Sequence, residues 1–245
     1  MPASSNFREA IREAQSSALV GPNVVNKALP YVGGGMVLTS AGVLGGMFTL
    51  QSMGLQAFST LSMVAIIPWF ILFFVAQNAA KNSNNATALP LLATFSLLTG
   101  FTLTGLVLQA VAVAGVASIG IAALATGLTF AIASVVGRRM SDSVGQALSG
   151  VVGLGLIGLI IAMVGIWIAS IFVGPGIFAA TNLIIAGLGT VLFVGMAFVD
   201  FYTMPRAYRD DQYLAGALGM YLTYINLFIF ILRLIIALQG GGRRD

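Results

Sequence analysis

Apolar residues run through this chain in long unbroken stretches, not in the one-faced or alternating patterns of a soluble fold. A membrane helix needs about 20 predominantly apolar residues. Reading between charges and turn signals gives seven such stretches: Ala28–Leu50, Phe58–Ala76, Ala86–Val111, Ser118–Val136, Leu148–Val173, Ile177–Phe201 and Tyr213–Leu238. The run from Ala86 to Gly137 is uncharged and too long for one span, so a cut is placed in the small-residue stretch Val113–Ser118. Gly174-Pro175-Gly176 is strong turn chemistry between the fifth and sixth spans. Outer-membrane strands alternate apolar and polar positions and these segments do not, which excludes a β-barrel. The expected fold is an all-α integral membrane protein, a seven-transmembrane-helix bundle over residues 28–238, with a polar tail at 239–245. Residues 1–27 are polar and lack the short apolar region and cleavage site of a secretory signal. They predict a cytoplasmic amphipathic segment, with Phe7, Ala10, Ile11, Ala14 and Ala18 on one face and Asn6 with Glu9 at capping-box spacing. Such a helix suits the membrane surface or a seat against the inner end of the bundle.

Composition agrees. Of 245 residues, 58% are hydrophobic and 7% charged, against about 25% charged in a soluble domain. Eleven Lys and Arg with seven Asp and Glu cannot clothe a water-facing surface, which excludes a soluble enzyme, and disorder needs the opposite composition. There is no Cys and no His, so thiol nucleophiles, zinc sites, haem ligands and imidazole catalysis lack their residues. The cations set an orientation. With seven spans, Arg8, Arg12, Lys27, Lys81, Arg138, Arg139, Arg206 and Arg209 share one side, and Arg233, Arg243 and Arg244 remain for the other. This bias puts the N-terminus in the cytoplasm and the C-terminus outside. It also accounts for the pI near 9.8 without nucleic acid.

The 30 glycines read first as packing, because small residues let membrane helices approach closely. They cluster as Gly33, Gly34, Gly35, Gly42, Gly45 and Gly46 in the first span, Gly150, Gly153, Gly155 and Gly158 in the fifth, and Gly216 and Gly219 in the seventh. Pro68 lies inside the second span and should free the carbonyl near Val64, which a cavity or a neighbour must satisfy. Intramembrane ionisable groups are costly and therefore functional candidates. Two qualify in part. Asp200, at the inner end of the sixth span, is either a gate or an interfacial acid facing headgroups or paired with Arg206 or Arg209. Arg233 lies near the outer interface, where snorkelling is its ordinary role. Gly216, Gly219, Thr223, Asn226 and Arg233 recur on one face of the last span, as a packing seam or the wall of a hydrated path.

The stretch from Asp200-Phe201-Tyr202 through Asp210-Asp211-Gln212-Tyr213-Leu214-Ala215-Gly216 and Tyr221-Leu222-Thr223-Tyr224-Ile225-Asn226-Leu227-Phe228 to Leu232-Arg233 resembles the end of the Bax inhibitor-1 family. There an acid closes the sixth helix, and the last helix opens on Leu-Tyr-Leu-Asp-Phe-Ile-Asn-Leu-Phe followed by Leu-Leu-Arg. Upstream, the pattern from Pro90 to Gly100 and Thr102 agrees more loosely. The resemblance implies a seven-helix bundle whose last helix is central, in a bacterial plasma or internal membrane, with cytoprotective, slow passage of calcium or protons. Some bacterial relatives associate with a membrane-anchored protease. Family members with a pH-dependent leak pair two aspartates; Asp200 matches the first, and the second falls on Thr223. Two close carboxylates share a proton and titrate as a pair, whereas Thr223 does not titrate, so the gate should be altered. The family's basic partner near the second helix has Lys81 as its counterpart.

Two functions follow. One is a passive cation pathway, for calcium or protons, with Asp200 at its gate, Thr223 and Asn226 lining it, and Arg206, Arg209, Arg233 and Lys81 as supporting charges. The other is a non-transporting partner that stabilises or regulates another membrane complex or protease, with the loop Arg206–Gln212 as its contact. No cofactor is implied. An intramembrane enzyme is disfavoured, because a Ser–His pair and a second intramembrane acid are both missing. A retinal Schiff base has no Lys after Lys81, and nucleotide chemistry has no Gly-Lys-Ser/Thr loop.

Overall fold

The computed structural model describes residues 19–174 and 176–241. Residues 1–18 of the amphipathic segment expected over 1–27, and Arg243 and Arg244, lie outside the described residues. Those described form helices and turns, with no strand: α1 (Val24–Lys81), α2 (Asn85–Ala114), α3 (Ala117–Val136), a short 3-10 turn (Gly137–Arg139), α4 (Asp142–Val173), α5 (Gly176–Ala207) and α6 (Tyr213–Gly241). All six α-helices are long and apolar enough to cross a membrane. Their outward sides carry bare apolar groups, with Leu154 at 74% and Phe172 at 83% exposure. Hydrocarbon, not water, is the solvent in which such surfaces are stable.

α1 has 58 residues, about 87 Å if it were straight, against a hydrocarbon core of about 30 Å. It is not straight. Gly54 sits at φ +81°, ψ 172°, the one non-helical position within it. A side chain at such a φ would press on the backbone, and glycine has none. The arms on either side return to the same place. The Thr39 hydroxyl donates to the Ser96 carbonyl at 3.2 Å, while the Trp69 indole N–H donates to the Thr99 hydroxyl at 2.7 Å. Ser96 and Thr99 occupy one turn of α2, yet Thr39 and Trp69 would be about 45 Å apart on a straight helix. The chain therefore folds back at Gly54, with arms 24–53 and 55–81 both against α2.

The expected first two spans leave the stretch between Leu50 and Phe58 to connect them. In the structure the helix continues on both sides and a single glycine makes the reversal. Gly115 (φ +76°) and Gly174 (φ +92°) adopt nearly the same conformation between α2 and α3 and after α4, and Gly115 falls inside the expected cut. At Pro68 the arm keeps helical dihedrals, and the cavity described below includes neither Pro68 nor Val64.

α6 packs against α1, α2, α3 and α5. Leu214, Ala215, Leu218, Met220, Tyr221, Leu227 and Leu232 are all buried on it. α4 instead buries Gly145, Val152 and Leu159 at seven-residue intervals, a narrow stripe against α5. The glycines divide accordingly. A methyl group at Gly42 would meet the Leu97 carbonyl, at Gly46 the Thr104 side chain and at Gly35 the Tyr221 ring. Gly155 faces Leu192 and Gly216 faces Met204. Gly33, Gly34, Gly45, Gly150, Gly153, Gly158 and Gly219 meet nothing within 4 Å. Close packing thus accounts for part of the glycine content only.

Candidate functional site

Asp200 lies seven residues before the end of α5, about 10 Å inside it along the axis. Its carboxylate faces the hydroxyl of Thr223 on α6, a side chain only 3% exposed. The second oxygen, Oδ2, is buried and has no hydrogen-bond partner among the described residues. Thr203 follows one turn later on the same face of α5, and its hydroxyl is likewise buried without a partner. So is Oε1 of Gln77, on the C-terminal arm of α1. The Tyr208 hydroxyl sits beside the Gln77 amide. Burial pushes that hydroxyl above the ordinary tyrosine range, and the nearby Asp200 charge adds to the shift. The result is a buried polar cluster, the Asp200 chamber, among α1, α5 and α6, in which Asp200 Oδ2, Thr203 Oγ1 and Gln77 Oε1 have no partner among the described residues. Buried polar groups are normally paired, and an orphan carboxylate oxygen calls for a proton, a water or a cation.

None of the supporting charges touches Asp200. Arg206 donates to Asp142 at the start of α4 at 3.2 Å and to the Tyr202 carbonyl at 2.8 Å, with its guanidinium 4.1 Å from the Tyr202 ring centroid. Arg209 pairs with Asp211 at 3.1 Å. The reading of Asp200 as an acid paired with either arginine is thus corrected: both cations are taken by acids closer to the helix ends. Lys81 contributes its backbone carbonyl, which accepts from Gln212 Nε2 at 2.6 Å. Asn226 donates to the Leu222 carbonyl of its own helix at 2.9 Å, so its amide is turned onto α6. Arg233 lies at the far end of the bundle.

Over the chamber runs a strap, residues 208–212, whose polar groups bind its neighbours. Asp210 accepts from the Asn23 backbone N–H at 2.9 Å and approaches Lys27 at 4.0 Å. Asp211 accepts from the Ser83 hydroxyl at 2.8 Å, and its carbonyl accepts from Asn85 at 3.1 Å. The Pro205 carbonyl accepts the N–H groups of Val20 and Gly21. The strap therefore joins the start of α1 and the α1–α2 turn to the end of α5. The Arg209 and Ser83 hydrogen bonds lower the Asp211 carboxyl from 3.8 to about 2. A depressed carboxyl stabilises the fold above its unfolded value and loses that contribution as pH falls toward the folded one. The thermal midpoint of the wild type should therefore exceed that of Asp211→Asn above about pH 4. The two midpoints should converge as pH drops to about 2.

Gln77, Thr203 and Asp142 carry no site mark in the sequence pattern, and Tyr208, Asp210 and Asp211 enter it only as part of the loop Arg206–Gln212. For Asp210 and Asp211 a signal existed, two adjacent acids in a chain with so few. Gln77 carried a weaker one, as an amide at the inner end of an apolar run. A second polar cluster lies deeper, where the Tyr221 hydroxyl and Thr39 Oγ1 are 2.6 Å apart, both buried. No group of three or more potential metal-ligating side chains occurs among the described residues.

Comparison with known proteins agrees with this architecture. Residues 21–240 match the family described as inhibitor of apoptosis-promoting Bax1. An uncharacterized membrane protein of Streptococcus pyogenes serotype M1 is 30% identical over 188 residues, 74% of each chain. An uncharacterized protein of Deinococcus radiodurans is 26% identical over 224 residues, 88% of each. Bax inhibitor 1 of Schizosaccharomyces pombe is 38% identical over a shorter stretch of 56 residues, 23% of this chain and 21% of that protein. With its apolar helices and a match spanning nearly its whole length, the chain is a multi-pass integral membrane protein that belongs to the Bax inhibitor family.

Proposed function

We propose that this protein is a passive leak pathway for calcium or protons, entered at the strap end past Asp200, with its pH gating altered by Thr223. The observation that carries this reading is the buried Oδ2 of Asp200, without a partner among the described residues. A permanently unpaired carboxylate inside a bundle is expensive, and a cation or proton in transit would neutralise it. Thr223 stands where the family's leak-forming members are expected to carry a second aspartate. Its hydroxyl supplies one hydrogen bond and no second charge.

The accompanying topology has seven crossings, with the arms of α1 counted separately and α6 at the centre. It is supported by the reversal at Gly54 and by the four helices that α6 touches. The N-terminus is assigned to the cytoplasmic side of a bacterial plasma or internal membrane and the C-terminus to the outside. Lys27, Lys81, Arg138, Arg206 and Arg209 gather at the strap end through their contacts with Asp210, Gln212, Asn26, Asp142 and Asp211, as inward-facing cations should. In the partner reading, the loop Arg206–Gln212 would present charges for docking. Its acids and Gln212 are bonded within the chain, which favours the pathway.

The test is flux into vesicles loaded with a calcium or pH indicator. Wild type should exceed empty vesicles, and Asp200→Asn should lower the calcium rate about tenfold, equivalent to about 1.4 kcal/mol. Wild-type flux indistinguishable from empty vesicles under several pH gradients would defeat the proposal.

A further inference from the structure

At the end of the bundle away from Asp200 is a cavity of about 1220 Å³ among α2, α4, α5 and α6. This is somewhat above the 300–1,000 Å³ of ordinary ligand pockets. Arg233, half-buried on α6, lines it. Among the described residues its guanidinium has no ion pair and no hydrogen-bond partner. The described acids Asp142, Asp210 and Asp211 are engaged at the other end, with Asp200 just inside them. Two amides open on the same space, Gln109 from α2 and Asn182 from α5, and neither side chain has a partner among the described residues. The remaining wall is largely apolar, with Met163 and Trp167 on α4 and Phe178 on α5.

Snorkelling would let Arg233 reach water on its own. It does not account for two amides from other helices converging on the same cavity. A guanidinium offers five N–H donors in a fixed fork, and its strongest partner is a phosphate or carboxylate that accepts two of them. The amides can donate to the remaining oxygens of such a head group. The apolar wall then suits a hydrocarbon chain, and a small hydrated anion would gain nothing from it.

We infer that this cavity binds an amphiphile with an anionic phosphate or carboxylate head. The head is held by Arg233, Gln109 and Asn182, and the acyl chain lies against Met163, Trp167 and Phe178. The site is distinct from the Asp200 chamber and does not depend on the pathway proposed for it.

Native mass spectrometry of protein released from phosphatidylcholine membranes, with and without phosphatidylglycerol, tests this. Wild type should retain one phosphatidylglycerol per chain in preference to phosphatidylcholine. Arg233→Gln should retain it about tenfold less, equivalent to about 1.4 kcal/mol, with Arg233→Lys between the two. Arg209→Gln, at the opposite end, should behave as wild type. Competition by oleate would assign a carboxylate head, and competition by lysophosphatidic acid a phosphate head. Displacement of the lipid by inorganic phosphate at the same concentration would overturn the amphiphile assignment. Equal retention by wild type and Arg233→Gln would overturn the site. The chain has two tryptophans, so a Trp69→Phe background makes Trp167 the sole reporter. Bromine-labelled phosphatidylglycerol should then quench it more than the labelled phosphatidylcholine does. That excess should vanish with Arg233→Gln, and its persistence there would likewise overturn the site.

Discussion

Gly42→Leu is expected to lower stability by about 3 kcal/mol or more, at the upper end of what overpacking costs. The opposing atoms explain why the effect is large. A side chain at position 42 would enter the Leu97 carbonyl and come within 3.0 Å of the Phe101 nitrogen. These are backbone atoms of α2, and they cannot rotate aside. The reciprocal contact brings Gly100 against the Thr39 carbonyl and within 2.9 Å of the Val43 nitrogen. The crossing between the N-terminal arm of α1 and α2 is therefore backbone on backbone, the geometry small residues permit in lipid. Separating the helices would also strain the bonds from Thr39 to Ser96 and from Thr104 to the Val43 carbonyl. For a chain of this size a loss of 3 kcal/mol corresponds to a fall of about 6–12 °C in the thermal midpoint. Gly45→Leu lies in the same arm but faces open space. It should stay within about 0.5 kcal/mol of wild type. Equal shifts in the two variants, followed by tryptophan fluorescence or dye-binding melts, would show that the crossing is not the constraint.

That contrast also marks how far the sequence could be read. Length and hydropathy set the helices, because lipid permits few alternatives to a helix for satisfying the backbone. The breaks at Gly115 and Gly174 were visible as small-residue and Gly-Pro-Gly punctuation. The reversal at Gly54 was partly visible, since a change of span was expected near it, but its compactness was not: the whole stretch between Leu50 and Phe58 was left to connect the spans. Which glycines pack could not be read, because Gly42 and Gly45 are equivalent until α2 is placed against one of them.

The candidate site followed the same division. Asp200 and Thr223 could be singled out, since an acid in an apolar helix is conspicuous and the family pattern fixed the threonine. Partner choice was hidden. Arg206 is six residues from Asp200 in sequence but pairs with Asp142, 64 residues away, because the end of α5 meets the start of α4. The polar face of the last helix also proved to be several things: a contact at Gly216, a facing hydroxyl at Thr223, an intrahelical bond at Asn226 and a cavity wall at Arg233. Spacing puts residues on one face, and only the neighbours decide what that face does.

Thr223→Asp is expected to give flux through this protein a steeper pH dependence than that of the wild type. Thr223 is buried and faces Asp200 from the adjoining helix, so an aspartate there would place two carboxylates in contact. Such a pair titrates in two coupled steps belonging to the pair rather than to either residue. Any barrier set by charge in the chamber would then change with pH. The expected result is a change in rate of about tenfold between pH 8 and pH 5.5, the order by which a protonated fraction moves over one pH unit. Wild-type flux should respond less steeply over the same range, since Asp200 is then the one carboxylate in the chamber and the Thr223 hydroxyl does not titrate there. Thr223→Asn fills similar space without a charge and should respond as the wild type does; a steepened response in it would locate the effect elsewhere. The double variant Asp200→Asn with Thr223→Asp returns the chamber to one carboxylate on the opposite helix. It should conduct with the shallower response of a single carboxylate, because the two coupled steps belong to the pair. A monodisperse, folded Thr223→Asp protein with a pH response no steeper than that of the wild type would remove Asp200 and Thr223 from the gate.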